Sequence, residues 1–289
     1  MNAPSPQLWQ VVHRPDDAVA IARPEQPCRI VYSLPHSGRY YPDSFIASAQ
    51  ASGPALRASE DAFVDAMVSP QALGVHGVTG LYARAFCDVN RHPLELDARL
   101  IRGRLPRAAL SLSARVKAGY GVIARRLSAD QEIYRQPLDM DEVNLRLDLI
   151  HRPYHEALLG RLLAARQSAR AVLLIDWHSM PSAALSYLAA HEARPDIVLG
   201  NRYGESCGEG LVRQVRGFLE GRGLRVGLNK PFAGGYIVEH YGRPSAGVEA
   251  LQIEINRAIY MDEAALQPHA GAERLKAIFA EMTAMLLSS

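Results

Sequence analysis

Cysteine is scarce in this sequence and lysine equally so. Three cysteines, Cys28, Cys87 and Cys207, lie far apart and are odd in number among 289 residues. No C-x-x-C pair occurs, which argues against a thiolate zinc site and against a disulfide framework. No run of about 18 apolar residues is present to span a bilayer. The N-terminus, MNAPSPQLWQVVHRPDD, has no basic patch leading into an apolar stretch, so no signal peptide is expected and a cytoplasmic location is. Excess charge is also missing. The 32 Lys and Arg against 30 Asp and Glu leave +2, too little to draw the chain as a whole to nucleic acid or to a membrane. Lysine supplies only 3 of the 32 basic residues. That reads first as a coding bias, and as a choice of guanidinium chemistry only at particular sites.

What is present is an ordinary globular composition, 48% hydrophobic and 21% charged. A chain of this length buries enough apolar surface to fold without staples, so a metal site in it is a candidate for chemistry. Residues 1–27, rich in proline and polar residues, read as an arm or edge, and 28–289 as one catalytic domain. Apolar runs of strand length are expected at Ile30–Leu34, Val78–Phe86, Ala171–Ile175, Ile197–Leu199 and Val248–Ile255. Helical spacing marks Ala62–Leu73, Leu211–Leu219, Leu275–Leu287 and 141–166, where Val143, Leu147, Ile150, Tyr154, Leu158 and Leu162 fall on one face. Pro153 is expected to kink that last helix or divide it. Strands without a polar face, alternating with helices, predict a single α/β domain with a mixed, mostly parallel sheet flanked by helices.

The segment 99–126 carries Arg99, Arg102, Arg104, Arg107, Arg115, Lys117, Arg125 and Arg126 and no acid. It reads as a solvated face, as an anion-steering lid or as a nucleic-acid patch. Tyr120 is its one aromatic residue, which leaves base stacking little to work with and places nucleic acid last.

Polar residues near strand ends carry the chemistry. His36 follows RIVYSLP, Asp176 and His178 follow AVLLI, and Glu254 lies near the end of VEALQIEINR. In open parallel sheets ligands bind outside the carboxyl ends of the strands. Two histidines and a carboxylate with an open fourth position form a common ligand set for catalytic zinc, and other divalent metals accept it too. Glu60 or Asp61 in ASEDAFVD could supply the carboxylate, or these acids could simply favour the start of a helix. Asp176, two residues before His178, points to the same side of a strand and suits an acceptor that holds the imidazole tautomer. Glu254 stands alone in the apolar run ALQIEI. Burial there would raise its pKa toward the range of a general base, unless it merely pairs with Arg257 or Arg91. DVNR, residues 88–91, offers a guanidinium able to grip a carboxylate through two hydrogen bonds. The glycines of FAGGYI, 232–237, suit close backbone approach to a ligand or a tight turn.

SLPHSGRYYP, SEDAFVD, CDVNR, PYHEAL, LLIDWHSMP, IVLGNRYGESC, NKPFAGGYI, HYGRP and LQIEINRAIYMDE, in this order, resemble the N-formylglutamate amidohydrolase (deformylase) family from about residue 28 to 265. The resemblance implies a zinc-dependent hydrolase with a core like that of zinc carboxypeptidases and aspartoacylases. It implies that His36, an acid of SEDAF and His178 bind one zinc ion, with Asp61 preferred to Glu60 because an Asp stands at that place in the family. It makes Glu254 the general base and gives Arg91 a catalytic role beside the developing oxyanion. Asn90 and Arg91 become the clamp for a substrate carboxylate, with Gly235, Tyr236 and Arg257 also toward substrate. The His-x-x-Glu pair of the carboxypeptidase pattern is not kept, since Arg39 stands three residues after His36. Asn256 and Arg257 after the strand glutamate are a second departure, and it bears on which acyl amino acid is cleaved. The implied partner is a small N-formyl or N-acyl amino acid, with no nucleic acid or membrane. A monomer or small homo-oligomer is expected, working in histidine degradation. Hydrolysis of another N-acyl amino acid or amide, and anion or partner binding without catalysis, are the competing readings.

Overall fold

A computed structural model describes residues 16–189 and 193–288. Most of the expected arm, residues 1–15, lies outside the described residues. From Val19 onward the chain enters a seven-stranded sheet: β1 (Val19–Ala22), β2 (Ile30–Leu34), β3 (His76–Gly80), β4 (Val172–Met180), β5 (Ile197–Gly200), β6 (Val226–Leu228) and β7 (Val248–Asn256). Their spatial order is β1-β3-β2-β4-β7-β5-β6. The central four, β3, β2, β4 and β7, are parallel. β5 runs antiparallel to β7, and β1 antiparallel to β3. The sheet is therefore mixed and mostly parallel, as the apolar strands predict.

Side-chain alternation assigns each face of the sheet. Ile30, Tyr32, Leu34, Leu173, Ile175, Trp177, Leu251, Ile253 and Ile255 share one core cluster with α3 (Glu209–Gly221) and α5 (Ala270–Leu287). There Trp177 packs edge-on to Phe279 at 4.8 Å between ring centroids. On the other face Val31, Val172, Leu174 and Ala250 pack against Tyr154, Leu158 and Leu162 of α2 (Arg152–Ser168). That second face is apolar only over the first half of each strand. Beyond it come Ser33, Asp176, His178, Gln252 and Glu254, all buried.

Several expectations shift. β4 runs on to Met180 rather than stopping at Ile175, because β7 pairs with it in register as far as Asn256. Asp176 and His178 thus sit within a strand. The run expected at 78–86 is a strand only to Gly80. Beyond it Ala83, Ala85 and Phe86 are buried as loop residues of the second core. The helix expected over 62–73 shrinks to one turn, Val64–Met67. Just before it Phe63 is left-handed (φ 64°) and the Asp61 amide is tied to the His36 carbonyl at 3.0 Å, so tertiary contacts override helical spacing. The expectation for Pro153 holds: a π turn over Leu147–His151 separates α1 (Met140–Arg146) from α2, and the proline occupies the first turn of α2, where a missing N–H costs little. No helix among the described residues is long and apolar enough to cross a membrane. Within α4 (Tyr236–Tyr241), Ile237 and Val238 anchor the loop that faces the ends of β4 and β7.

Candidate metal centre and active site

His36 leaves the end of β2, His178 rises from β4, and Asp61 arrives on the loop tied to His36. All three are buried. Their donor atoms converge. His178 Nδ1 lies 3.1 Å from His36 Nδ1 and 3.0 Å from Asp61 Oδ2, and His36 Nδ1 lies 3.4 Å from that same oxygen. Among the described residues this is the group of three His, Cys, Asp or Glu side chains placed to hold a metal ion. Glu60, the alternative acid, points elsewhere: its Oε1 accepts from Tyr41 Oη at 2.7 Å.

The remote ring nitrogens show what such a group requires. Asp88 Oδ1 lies 2.7 Å from His36 Nε2, and Asp176 Oδ2 lies 2.8 Å from His178 Nε2. Each carboxylate takes the Nε2 proton of a neutral ring, which leaves a bare lone pair on each Nδ1. Those two lone pairs and the Asp61 oxygen then face one another, and three acceptors so close repel unless a proton or cation lies among them. Zinc bonds of about 2.0–2.1 Å at tetrahedral angles separate donor atoms by about 3.3 Å, so the spacing fits such an ion. The site draws positive charge. Burial lowers the His178 pKa, but the Asp176 charge and the Asp176 and Asp61 hydrogen bonds outweigh it and hold the ring well above the ordinary imidazole value. Burial likewise raises the Asp61 carboxyl, yet the two histidines hold it well below the usual range.

Glu254 is the register partner of His178 across the β4–β7 pair. Burial pushes its carboxyl up to about 7, with the His178 charge pulling the other way. Gln252 Nε2 donates to Glu254 Oε1 at 2.9 Å and orients it. Neither Arg257 nor Arg91 forms an ion pair with it among the described residues. Above lies a cavity of about 780 Å³ whose lining includes His36, His178, Glu254, Arg84, Arg91 and Arg115.

The remaining expected residues separate into two groups. Arg91 lines the cavity, with Nη1 and Nε donating to the carbonyls of Asn90 (2.9 Å) and Tyr120 (3.1 Å). Asn90 also lines it, but its amide is already engaged. Oδ1 accepts from Ile237 N at 2.8 Å, and Nδ2 lies 3.1 Å from His178 Nε2 and 3.4 Å from Asp176 Oδ2. Gly235 is pressed against that amide: a Cβ there would come within 2.4 Å of Asn90 Nδ2. Arg257, buried, donates to Asp61 Oδ1 (3.3 Å), Ser179 Oγ (3.0 Å) and the Ala58 carbonyl (2.7 Å). Tyr236 turns instead toward His92, His155 and His240, at ring separations of 5.1–5.4 Å. Of the arginine-rich segment, Arg115 and Arg126 reach the cavity. Arg99 and Arg125 clasp Asp97, and Arg104 and Arg107 are exposed.

Three participants escape the reading of the sequence: Asp88, Arg84 and Gln252. Asp88 stands in the quoted DVNR, and its partner Arg84 lies four residues earlier, Nη2 to Oδ2 2.8 Å. Gln252 shares the strand face of Glu254, so the polar i, i+2 pair in an apolar run was the available signal.

Residues 28–261 match the family model described as N-formylglutamate amidohydrolase. The chain is 30% identical over 194 residues to an N-formylglutamate deformylase of Pseudomonas putida, covering 66% of each chain. It is 32% identical over 139 residues to an N-formylglutamate deformylase of Pseudomonas aeruginosa, covering 47% of this chain and 52% of that one. The aligned part thus spans about two thirds and about half of these relatives' lengths. Among solved structures, an N-formylglutamate amidohydrolase from Ralstonia eutropha superposes with a TM-score of 0.88 at 31% identity, over 94% of this chain and 97% of that one. A gene product of Agrobacterium tumefaciens shares the fold, with a TM-score of 0.61 at 17% identity, over 94% and 95%.

Proposed function

The chain belongs to the N-formylglutamate amidohydrolase family, and from that premise we propose that it hydrolyses N-formyl-L-glutamate to formate and L-glutamate with zinc as its cofactor. The observation that carries this reading is the convergence of His36, Asp61 and His178 below an arginine-lined cavity, with Glu254 on the adjoining strand. Zinc, when held by His36 Nδ1, Asp61 Oδ2 and His178 Nδ1, supplies Lewis acidity that polarises the formyl carbonyl and acidifies water. Asp88 and Asp176 keep both rings in the tautomer this needs. Glu254 takes a proton from the attacking water and delivers it to the departing amine nitrogen. A carboxyl pushed up to about 7 is suited to both transfers near neutrality. Arg91 grips a substrate carboxylate, while Arg84, whose charge is felt by Asp88 and Asp61, offsets charge developing at the carbonyl oxygen. Asn90 acts through the His178–Asp176 pair and the start of α4 rather than on substrate.

The test is formate release from N-formyl-L-glutamate by purified protein, before and after chelation and zinc restoration. Release that disappears with the metal and returns with zinc is expected. A folded, zinc-loaded sample that releases no formate would reject this substrate.

Cavity size favours a second reading. About 780 Å³, walled in part by Met180, Pro181, Ala184 and Phe232, is more than a formyl group and a glutamate require. An N-acyl amino acid with a longer acyl group would use that apolar wall. Relative rates on formyl-, acetyl- and succinyl-glutamate separate the two.

A further inference from the structure

Six arginines line the cavity, and five of them have an acid within 4 Å. Arg84 and Arg91 share Asp88 (2.8 and 3.9 Å), Arg126 meets Glu132 (3.6 Å), Arg202 meets Glu205 and Glu239 (3.3 and 3.2 Å), and Arg257 meets Asp61 (3.3 Å). Arg115 has no acidic partner among the described residues. Its placement is nevertheless built. It sits on the single-turn helix Ala114–Ala118, which Ser113 caps by accepting from Val116 N at 3.2 Å. Val116 is buried beneath it, and Arg99 donates to the carbonyls of Val116 and Lys117. Asp97 clasps both Arg99 and Arg125, pinning the segment near its two ends. Two of the guanidiniums lie beside Asp88, the carboxylate bonded to His36, and Arg115 lines the same cavity. Arg84 is bonded to Asp88, Arg91 follows beside the same carboxylate, and burial first, then the Arg84 and Arg115 charges, lower the Arg91 pKa. Like charges held this close favour an anion between or beside them.

We propose that Arg115 is the specificity-determining residue of this site, reading the distal carboxylate of a dianionic acyl amino acid whose α-carboxylate is held by Arg91. The inference rests on the proposed amidohydrolase reading. Arg257, the other cation that its sequence position offers to a second carboxylate, is less available, being bound to Asp61. The arginine-rich segment then acts as a substrate-recognition element, with most of its remaining charge solvated or structural.

The experiment compares N-formyl-L-glutamate with N-formyl-L-glutamine, nearly isosteric and lacking the distal charge, on the zinc-loaded wild type, Arg115→Gln, Arg115→Lys and Arg126→Gln. The wild type is expected to prefer the glutamate. In Arg115→Gln, kcat/KM for the glutamate falls about 10- to 100-fold, mainly through KM, and the preference collapses toward one. Arg115→Lys restores part of it. A wild type that cleaves both substrates equally, an Arg115→Gln variant that keeps its preference, or a loss seen with Arg126→Gln in its place would each overturn the inference while leaving the amidohydrolase reading intact. Failure of the wild type on both substrates would reject that reading and this inference with it.

Discussion

At the residue scale, the site is a set of polar side chains that tolerate burial only in one another's company. Glu254 illustrates the point, because a lone carboxylate among Ile253 and Ile255 is costly unless held or used. Glu254→Gln preserves the hydrogen bond to Gln252 and removes the titrating oxygen. We expect it to retain metal and to lose about 10²–10⁴-fold in kcat, the usual contribution of a general base. Metal content by atomic absorption alongside steady-state rates checks this, and full turnover would exclude Glu254 as the base. Asp88 makes a different prediction. It orients His36, accepts from Arg84 and accepts from the Asn90 backbone N–H at 2.9 Å. Asp88→Asn should weaken metal affinity by about 10–100-fold, as loss of a carboxylate behind a ligating imidazole does. Titration against a competing chelator measures it, and unchanged affinity would mean that Asp88 does not orient the ring.

At the scale of elements, the decisive arrangement is the register of β4 against β7, which sets Glu254 beside His178, and that of β2 against β4, which sets Ser33 beside Asp176. Ser33 Oγ donates to Asp176 Oδ1 at 2.6 Å, so the support of His178 reaches across to the neighbouring strand. The turn before α4 is the other critical element. Gly234 takes a φ of 136°, and the Gly235 amide donates to Gln252 Oε1 at 2.7 Å while its missing side chain makes room for Asn90. Two glycine-to-alanine substitutions should therefore act in opposite directions. Gly235→Ala must displace Asn90 and its bond to Ile237, lowering both Tm and kcat. Gly160→Ala, in the middle of α2 with nothing within 4 Å of the new Cβ, should stabilise by about 0.5–1 kcal/mol. Thermal unfolding of the two variants beside the wild type decides it.

At the scale of the whole molecule, the response to pH involves imidazoles packed behind the site, His151 buried and His155 partly so. His155 is bonded to the Val89 carbonyl (2.8 Å) and to Tyr241 Oη (2.9 Å), with His151 and His240 also facing it. Burial first, and then the His151 charge, push its pKa down to about 3. An unfolded chain takes up this proton below about pH 6.5 and the folded chain only near 3. At this group the unfolded state therefore binds more protons throughout that window, and its contribution to stability falls as pH drops; Glu254, raised to about 7, works the other way between about 7 and 4.5 but by a smaller shift. His151, also held down by burial, adds in the same direction. We expect Tm to decline steadily from pH 6.5 toward 4, and His155→Gln, which keeps a donor for Val89 and does not titrate, to flatten the slope. A wild-type Tm constant over that range would contradict the assignment.

Much of this protein was determined locally. Unbroken apolar runs required strands buried on both faces, and the apolar stripe of 141–166 required a covering helix, because periodicity and burial are properties of short segments. His36, His178, Glu254 and Asp176 were legible because each interrupts or ends such a run. Other features were settled only by tertiary structure. Neighbouring acids could not be told apart from the residues alone, and it is the fold that brings Asp61, the one the family resemblance preferred, rather than Glu60 to the convergence point, its amide tied to the His36 carbonyl. Asn90 and Arg257 proved to be held by Ile237 and Asp61, contacts between residues more than 140 positions apart. The partners of a buried amide or guanidinium depend on which distant segments fold against it. For the same reason, only the packing of 99–126 onto Asp97, Glu95 and the second core showed which of its arginines is structural, which is solvated and which faces the cavity.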